Sequence, residues 1–176
     1  MFGISIILAI VIGYILKGRL KYLINLEFKY ISLIIVGFVL ERILNLLIQQ
    51  QLLEISPLTY VLDLVMYGMI FAFIAINRKH MELIIMGIGF LMNAIVIFAN
   101  GGAMPVSAKA LEAMGVVGEL VDKGLYAMMH DLTRFKILAD IIPIHLSKIG
   151  FVISIGDIVL CLGMMILIIK GMKTTE

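Results

Sequence analysis

Five stretches of this chain carry no more than two charged residues each, and each approaches the length needed to cross a bilayer. An α-helix rises about 1.5 Å per residue and the hydrocarbon core is about 30 Å thick, so roughly 20 apolar residues make one span. Phe2 to Leu16 is the shortest stretch, extendable by the apolar stem of Lys17. The others run from Tyr30 to Leu53, Pro57 to Ile76, Met81 to Ala99 and Ile149 to Ile169. Of the 176 residues, 62% are hydrophobic, against about 45–50% in a soluble domain. Mean hydropathy is +1.15. The expected fold is therefore all-α, a single integral membrane domain over residues 1–176 with five transmembrane helices. Residues 100–148 are polar enough to lie outside the bilayer core.

Two short amphipathic helices are expected in that outer segment. Ser107 is placed to cap one through "AKALEAMGV". A second, through "TRFKILADII", ends before Pro143 because proline disfavours helical geometry in the residue ahead of it. The start of the chain is apolar first and basic second, the reverse of a cleavable signal, so its first stretch reads as a retained helix. No internal repeat divides the spans into halves, which argues against an inverted-repeat transporter.

Orientation follows lysine and arginine placement. Lys17, Arg19, Lys21 and Lys29 fill the first connection, Arg78 and Lys79 the third, and Lys170 and Lys173 the tail, whereas "QQQLLEISP" has no basic residue. This alternation predicts an outside N-terminus and a cytoplasmic C-terminus in a bacterial inner membrane. Lys109, Lys123, Arg134, Lys136 and Lys148 then fall on the external side, as a long translocated segment tolerates. The connector "KGRLKYLINLEFK" reads as an amphipathic segment resting on anionic headgroups, so the bilayer itself is the first partner.

Several function classes are disfavoured. A net charge of +2 with no clustered basic face gives no case for nucleic acid. Cys161 is the only cysteine, which excludes an internal disulfide and a cysteine-based zinc site. His130 and His145 share no helix-face spacing, so no metal site and no cofactor are expected. "ANGGAMPVS" lacks the lysine of a phosphate loop and reads as a helix stop, with Asn100–Gly101 supplying the left-handed turn and Pro105 preventing continuation.

The polar residues inside the spans carry the functional interest. Counting from span ends, Asn45, Asp63, Asn93 and Asp157 all fall roughly 9–12 Å below the outer surface of the apolar core. Groups at that depth are costly in lipid and are expected to face one another inside the bundle. Gly150, Ser154, Asp157 and Cys161 form one helical stripe, Thr59, Asp63 and Tyr67 another, and Gly89, Asn93 and Asn100 a third. The second span adds Glu41, Arg42, Asn45 and Gln49, and Arg42 is expected to pair with Asp63 across the hairpin. The same layer is also what helix packing alone can produce, since polar side chains between membrane helices act as glue worth ~0.6 kcal/mol each.

"LMNAIVIFANGGAMPVS", "HDLTRFKILADIIPI" and "SIGDIVLCLG", in that order between residues 91 and 165, resemble an uncharacterised family of small bacterial membrane proteins, the domain of unknown function five-three-one-seven. The resemblance marks Asn93, Asn100, Gly101, Gly102, Met104, Pro105, His130, Arg134, Asp140, Pro143, Ser154, Gly156 and Asp157 and implies no reaction. The layout of Asp140 and Asp157 is also similar to the aspartate pair of lipoprotein signal peptidases. That similarity implies a hydrolase in which one carboxylate activates water and the other polarises a carbonyl. It departs from that family in span number and in the residues before the second aspartate. Three classes remain open: a binding or sensing module for a small polar ligand, peptide or lipid headgroup; an intramembrane hydrolase using Asp140 and Asp157; and a structural, partner-binding subunit. The candidate ligand-binding set is Asn45, Asp63, Asn93, Asn100, Gly101, Gly102, Arg134, Asp140, Ser154 and Asp157.

Overall fold

The computed structural model describes residues 1–54, 56–115, 125–146 and 149–173. Its helices are α1 (Phe2–Ile15), α2 (Ile31–Gln49), α3 (Pro57–Ile76), α4 (Met81–Ala99), the short α5 (Ala108–Ala113) and α6 (Ile155–Met172). Four of these, α2, α3, α4 and α6, are long and apolar enough to cross a membrane, and α1, with 14 residues, is shorter. The chain is thus mostly helical, and four such helices support a multi-pass membrane protein. The outward faces of α2 and α3 carry exposed Ile35, Val39, Leu62 and Val65. Helices apolar on every side are the form a bilayer solvent selects.

Local chemistry sets the helix ends. Ser56 and Thr59 form a reciprocal capping box at the start of α3, with Pro57 in the first turn. Ser154 and Asp157 do the same for α6. Beyond α4, Gly101 and Gly102 take φ of +79° and +92°, a region that glycine alone enters without strain.

The long helices pack in the order α2, α3, α4, α6, α1. The α4–α6 contact is the closest, because glycine brings the two backbones together. A Cβ added to Gly89 would lie 2.6 Å from the Gly156 carbonyl oxygen, and one on Gly163 would lie 2.8 Å from the Glu82 carbonyl oxygen. The helices run antiparallel along this seam, so Asn93 faces the start of α6 while the buried Glu82 pairs with Lys170 near its end.

The all-α expectation needs correction in the outer segment. Strand β1 (Met104–Val106) pairs in parallel with β2 (Tyr126–Met128), and β3 (Ile142–Leu146) pairs antiparallel with β4 (Ile149–Ile153). Strand β4 occupies the first five residues expected of the last span, so that helix begins at Ile155, not Ile149. A five-residue apolar run is compatible with either structure, and "IGFVI" is rich in β-branched residues. Gly150 therefore leaves the predicted helical stripe and Ser154 becomes a cap. The expected helix through "TRFKILADII" is only a 3-10 turn over Lys136–Leu138. The helix after Ser107 does form, with the Ser107 hydroxyl accepting from the Ala110 N–H. The far end of "AKALEAMGV", Lys123 and Lys148 lie outside the described residues.

Candidate functional site

The outer strands present one carboxyl group to the bundle. After the glycine turn, the Gly102 N–H returns to the Ile97 carbonyl at 2.9 Å and β1 begins. On one edge β1 meets β2, with the Met104 N–H on the Leu125 carbonyl at 2.8 Å. Its other edge holds Asp140, whose N–H donates to the Pro105 carbonyl at 3.0 Å and whose carbonyl accepts from the Ser107 N–H at 2.9 Å. The next N–H, of Ile141, donates to the Ile153 carbonyl at 3.2 Å. Asp140 is thus fixed through its backbone on both sides by "AMPVS" and by the end of β4. A Cβ on Gly102 would lie 3.9 Å from the Asp63 carboxylate, so the turn itself closes over α3.

The first turn of α6 supplies a second carboxyl group. Asp157 accepts from the Asn93 side-chain amide at 3.0 Å and from the Ser154 N–H at 3.2 Å. The Ser154 hydroxyl accepts from the Asp157 N–H at 3.0 Å and donates to the Asn93 side-chain oxygen at 2.9 Å. Gly156 is what lets this network form, because a methyl group there would overlap the Asn93 side chain. Asn93 is therefore oriented by both partners, and Asp157 stands in the opening turn of its helix, not eight residues inside it.

Between these groups lies a cavity of about 390 Å³ with walls from α1, α2, α3, α4, α6 and the outer strands. Glu41, Asn45, Asp63, Asn93, Asp140 and Asp157 form its polar lining; Phe38, Met66, Tyr67, Met86 and Phe90 are among its apolar lining. Asp63 and Asp140 are 3% and 6% exposed, and one carboxyl oxygen of each has no hydrogen-bond partner among the described residues. Buried polar groups normally have partners, so each such atom calls for an explanation. Burial, and then the neighbouring Asp157 carboxylate, push the Asp140 carboxyl up to about 8.

Of the residues expected at a ligand site, Asn45, Asp63, Asn93, Gly102, Asp140 and Asp157 line this one cavity. Ser154, fully buried, stands behind it and holds Asn93. Asn100, Gly101 and Arg134 are not part of the lining. Asn100 instead bridges to the backbone of Arg134, accepting from its N–H at 2.9 Å and donating to its carbonyl at 3.0 Å, which ties the outer segment to the end of α4. The expected ion pair between Arg42 and Asp63 does not form: Arg42 is exposed on α2, and Asp63 faces the cavity. Adjacent helical residues point about 100° apart, and on α2 it is Glu41 that lines the cavity while Arg42 is exposed. Glu41, a polar residue of the second span outside the candidate ligand-binding set, lines the cavity, as do Tyr126, Phe2, Phe38 and Phe90, which no sequence pattern singles out. For Glu41 the signal was present, since it stands four residues before Asn45 on one helical face.

Over residues 25–169 the chain matches a family described as a family of unknown function, DUF5317. An uncharacterised protein of Thermotoga maritima is 30% identical over 164 residues, which is 93% of this chain and 88% of that protein. No solved structure matches.

Proposed function

The chain belongs to the DUF5317 family, and since that family brings no activity with it, we propose from the geometry that this is a membrane-embedded binding module. It crosses a bacterial inner membrane five times, with α1 as the short first span, the N-terminus outside and the C-terminus in the cytoplasm. Its cavity opens in the outer half of the bundle and takes a small polar ligand or a lipid headgroup. The observation that carries this reading is a single one: two buried carboxyl groups from different segments reach one cavity, each with an oxygen that has no partner among the described residues. Packing glue satisfies its own hydrogen bonds, as the Asn93–Ser154–Asp157 network does. An unpartnered buried oxygen costs about 1–3 kcal/mol and is retained where an occupant completes it.

The test is to extract the protein in mild detergent and identify co-purifying small molecules and lipids by mass spectrometry, beside the Asp63→Asn, Asp140→Asn double variant. A species enriched in the wild type and lost from the folded variant supports the site. Identical profiles from both proteins argue for the structural role.

A hydrolase remains the second reading because of one pairing. Asp140 keeps its proton near neutral pH, while the oxygens of Asp157 accept from the Asn93 side-chain amide and the Ser154 N–H. Carboxyl groups held in such different environments are what acid–base division of labour requires. Cleavage of a membrane peptide that is lost with either Asp140→Asn or Asp157→Asn at matched abundance would favour it over simple binding.

A further inference from the structure

The cavity wall carries the carboxyl groups of Glu41, Asp63, Asp140 and Asp157, and none of the described residues lining it is a lysine, arginine or histidine. Building on the binding reading above, we propose that the occupant is an organic cation, an ammonium group borne on an apolar body. Asp63 and Asp140 are more than nine-tenths buried, and among the described residues one carboxyl oxygen of each has no hydrogen-bond partner; a cation in the cavity favours the ionised form of both carboxyl groups, which then accept from it. An ammonium ion brings charge and N–H donors together, the combination that makes the strong class of hydrogen bond.

The spread of the acids indicates the size of the ion. They come from α2, α3, the segment just before β3 and α6, and among the described residues no three acidic, histidine or cysteine side chains converge enough to hold a metal ion. A larger ion, reaching two walls, fits that spacing. The remaining wall favours the same chemistry. Phe38 and Phe90, with ring centres 6.2 Å apart, flank the cavity with Tyr67, and aromatic faces attract alkylammonium groups while apolar surface accepts the body. The volume of about 390 Å³ falls within the ~300–1,000 Å³ usual for small-molecule sites. A phosphate or carboxylate ligand would meet four acids and no counter-charge, which disfavours it.

The ammonium group can arrive on a free amine or on the ethanolamine headgroup of a lipid. Phenethylammonium, its neutral analogue 2-phenylethanol and the anion phenylacetate serve as probes in uncharged maltoside micelles, with binding read by calorimetry and by melting temperature. Phenethylammonium is expected to bind and to raise the melting temperature. The two analogues are expected to bind at least about tenfold more weakly, the loss of one charge-assisted contact. Glu41→Gln, and separately Asp63→Asn with Asp140→Asn, are expected to weaken the ammonium about tenfold or more while leaving 2-phenylethanol unchanged. Discs of phosphatidylglycerol with added phosphatidylethanolamine then identify the source. Loss of amine binding there assigns the lipid headgroup, and retained binding assigns a free amine. Binding of phenylacetate or 2-phenylethanol as tight as the cation would overturn the cation assignment and leave the binding site standing. Binding of none of the three would remove both.

Discussion

Asp140 combines a rigid backbone with an unsatisfied side chain. Both its peptide groups are bonded to the segment around β1, which holds its Cα at the cavity wall, and one carboxyl oxygen is buried with no partner among the described residues. Its carboxyl titrates near 8, against about 3.9 in an unfolded chain, with burial the larger cause and Asp157 the smaller. Between those two values the folded state binds the extra proton. Asp140 therefore contributes stability that is full below about pH 4 and is lost as pH rises through about 8, with a slope of at most ~1.4 kcal/mol per unit. Between about pH 5.5 and about pH 8.5 the wild-type melting temperature should fall, and Asp140→Asn should flatten that slope. Parallel profiles for the two proteins would show that the carboxyl is not held protonated. Asp157 contrasts with it, because Asn93 and Ser154 meet its oxygens and hold its side chain in place.

Among the elements, the α4–α6 seam decides where these groups meet. Gly89, Gly156 and Gly163 let the two helices approach until Asn93 reaches Ser154 and Asp157. Gly156→Ala should cost about 1–3 kcal/mol, since the added methyl displaces Asn93 and overpacks the contact. Gly68→Ala, where nothing lies within 4 Å, should be neutral or stabilising by up to about 1 kcal/mol. Equal melting temperatures for the two variants would mean that the seam is not close-packed. The long helices were legible in the sequence because bare apolar length signals them, and the Ser107 cap because a serine ahead of helix formers has a local mechanism. The strands were not, because "IPIHL" and "IGFVI" are short apolar runs whose structure depends on partners far away in the chain. The same limit explains Arg42. Spacing along α2 establishes that Glu41 and Arg42 diverge, but only the packing of α2 on α3 decides which of them turns inward. Asn45, Asp63 and Asn93 could be grouped by counting from span ends, whereas Asp157 joins them from the first turn of a helix whose start that count misplaced, and Asp140 through strand pairing that no periodicity announces.

At the scale of the whole molecule, five helices and a strand cap enclose one acidic cavity, and the proposed outward orientation makes it accessible from outside the cell. With Cys161→Ala as background, a cysteine at Lys109 should react with an impermeant thiol reagent in intact cells, and one at Lys173 should not. The reverse pattern would overturn the orientation. The central claim is that the unpartnered carboxyl groups exist for an occupant and do not hold the bundle together. Asp63 lies wholly within α3, deeply buried, with no partner for one oxygen among the described residues, so it tests that claim most directly. The measurement is the melting temperature of Asp63→Asn, stripped of small molecules, beside wild type prepared in the same way. Relief of an uncompensated buried acid predicts a variant as stable as wild type or more stable, by up to about 1–3 kcal/mol. A variant clearly less stable than wild type would contradict the account and assign Asp63 to packing.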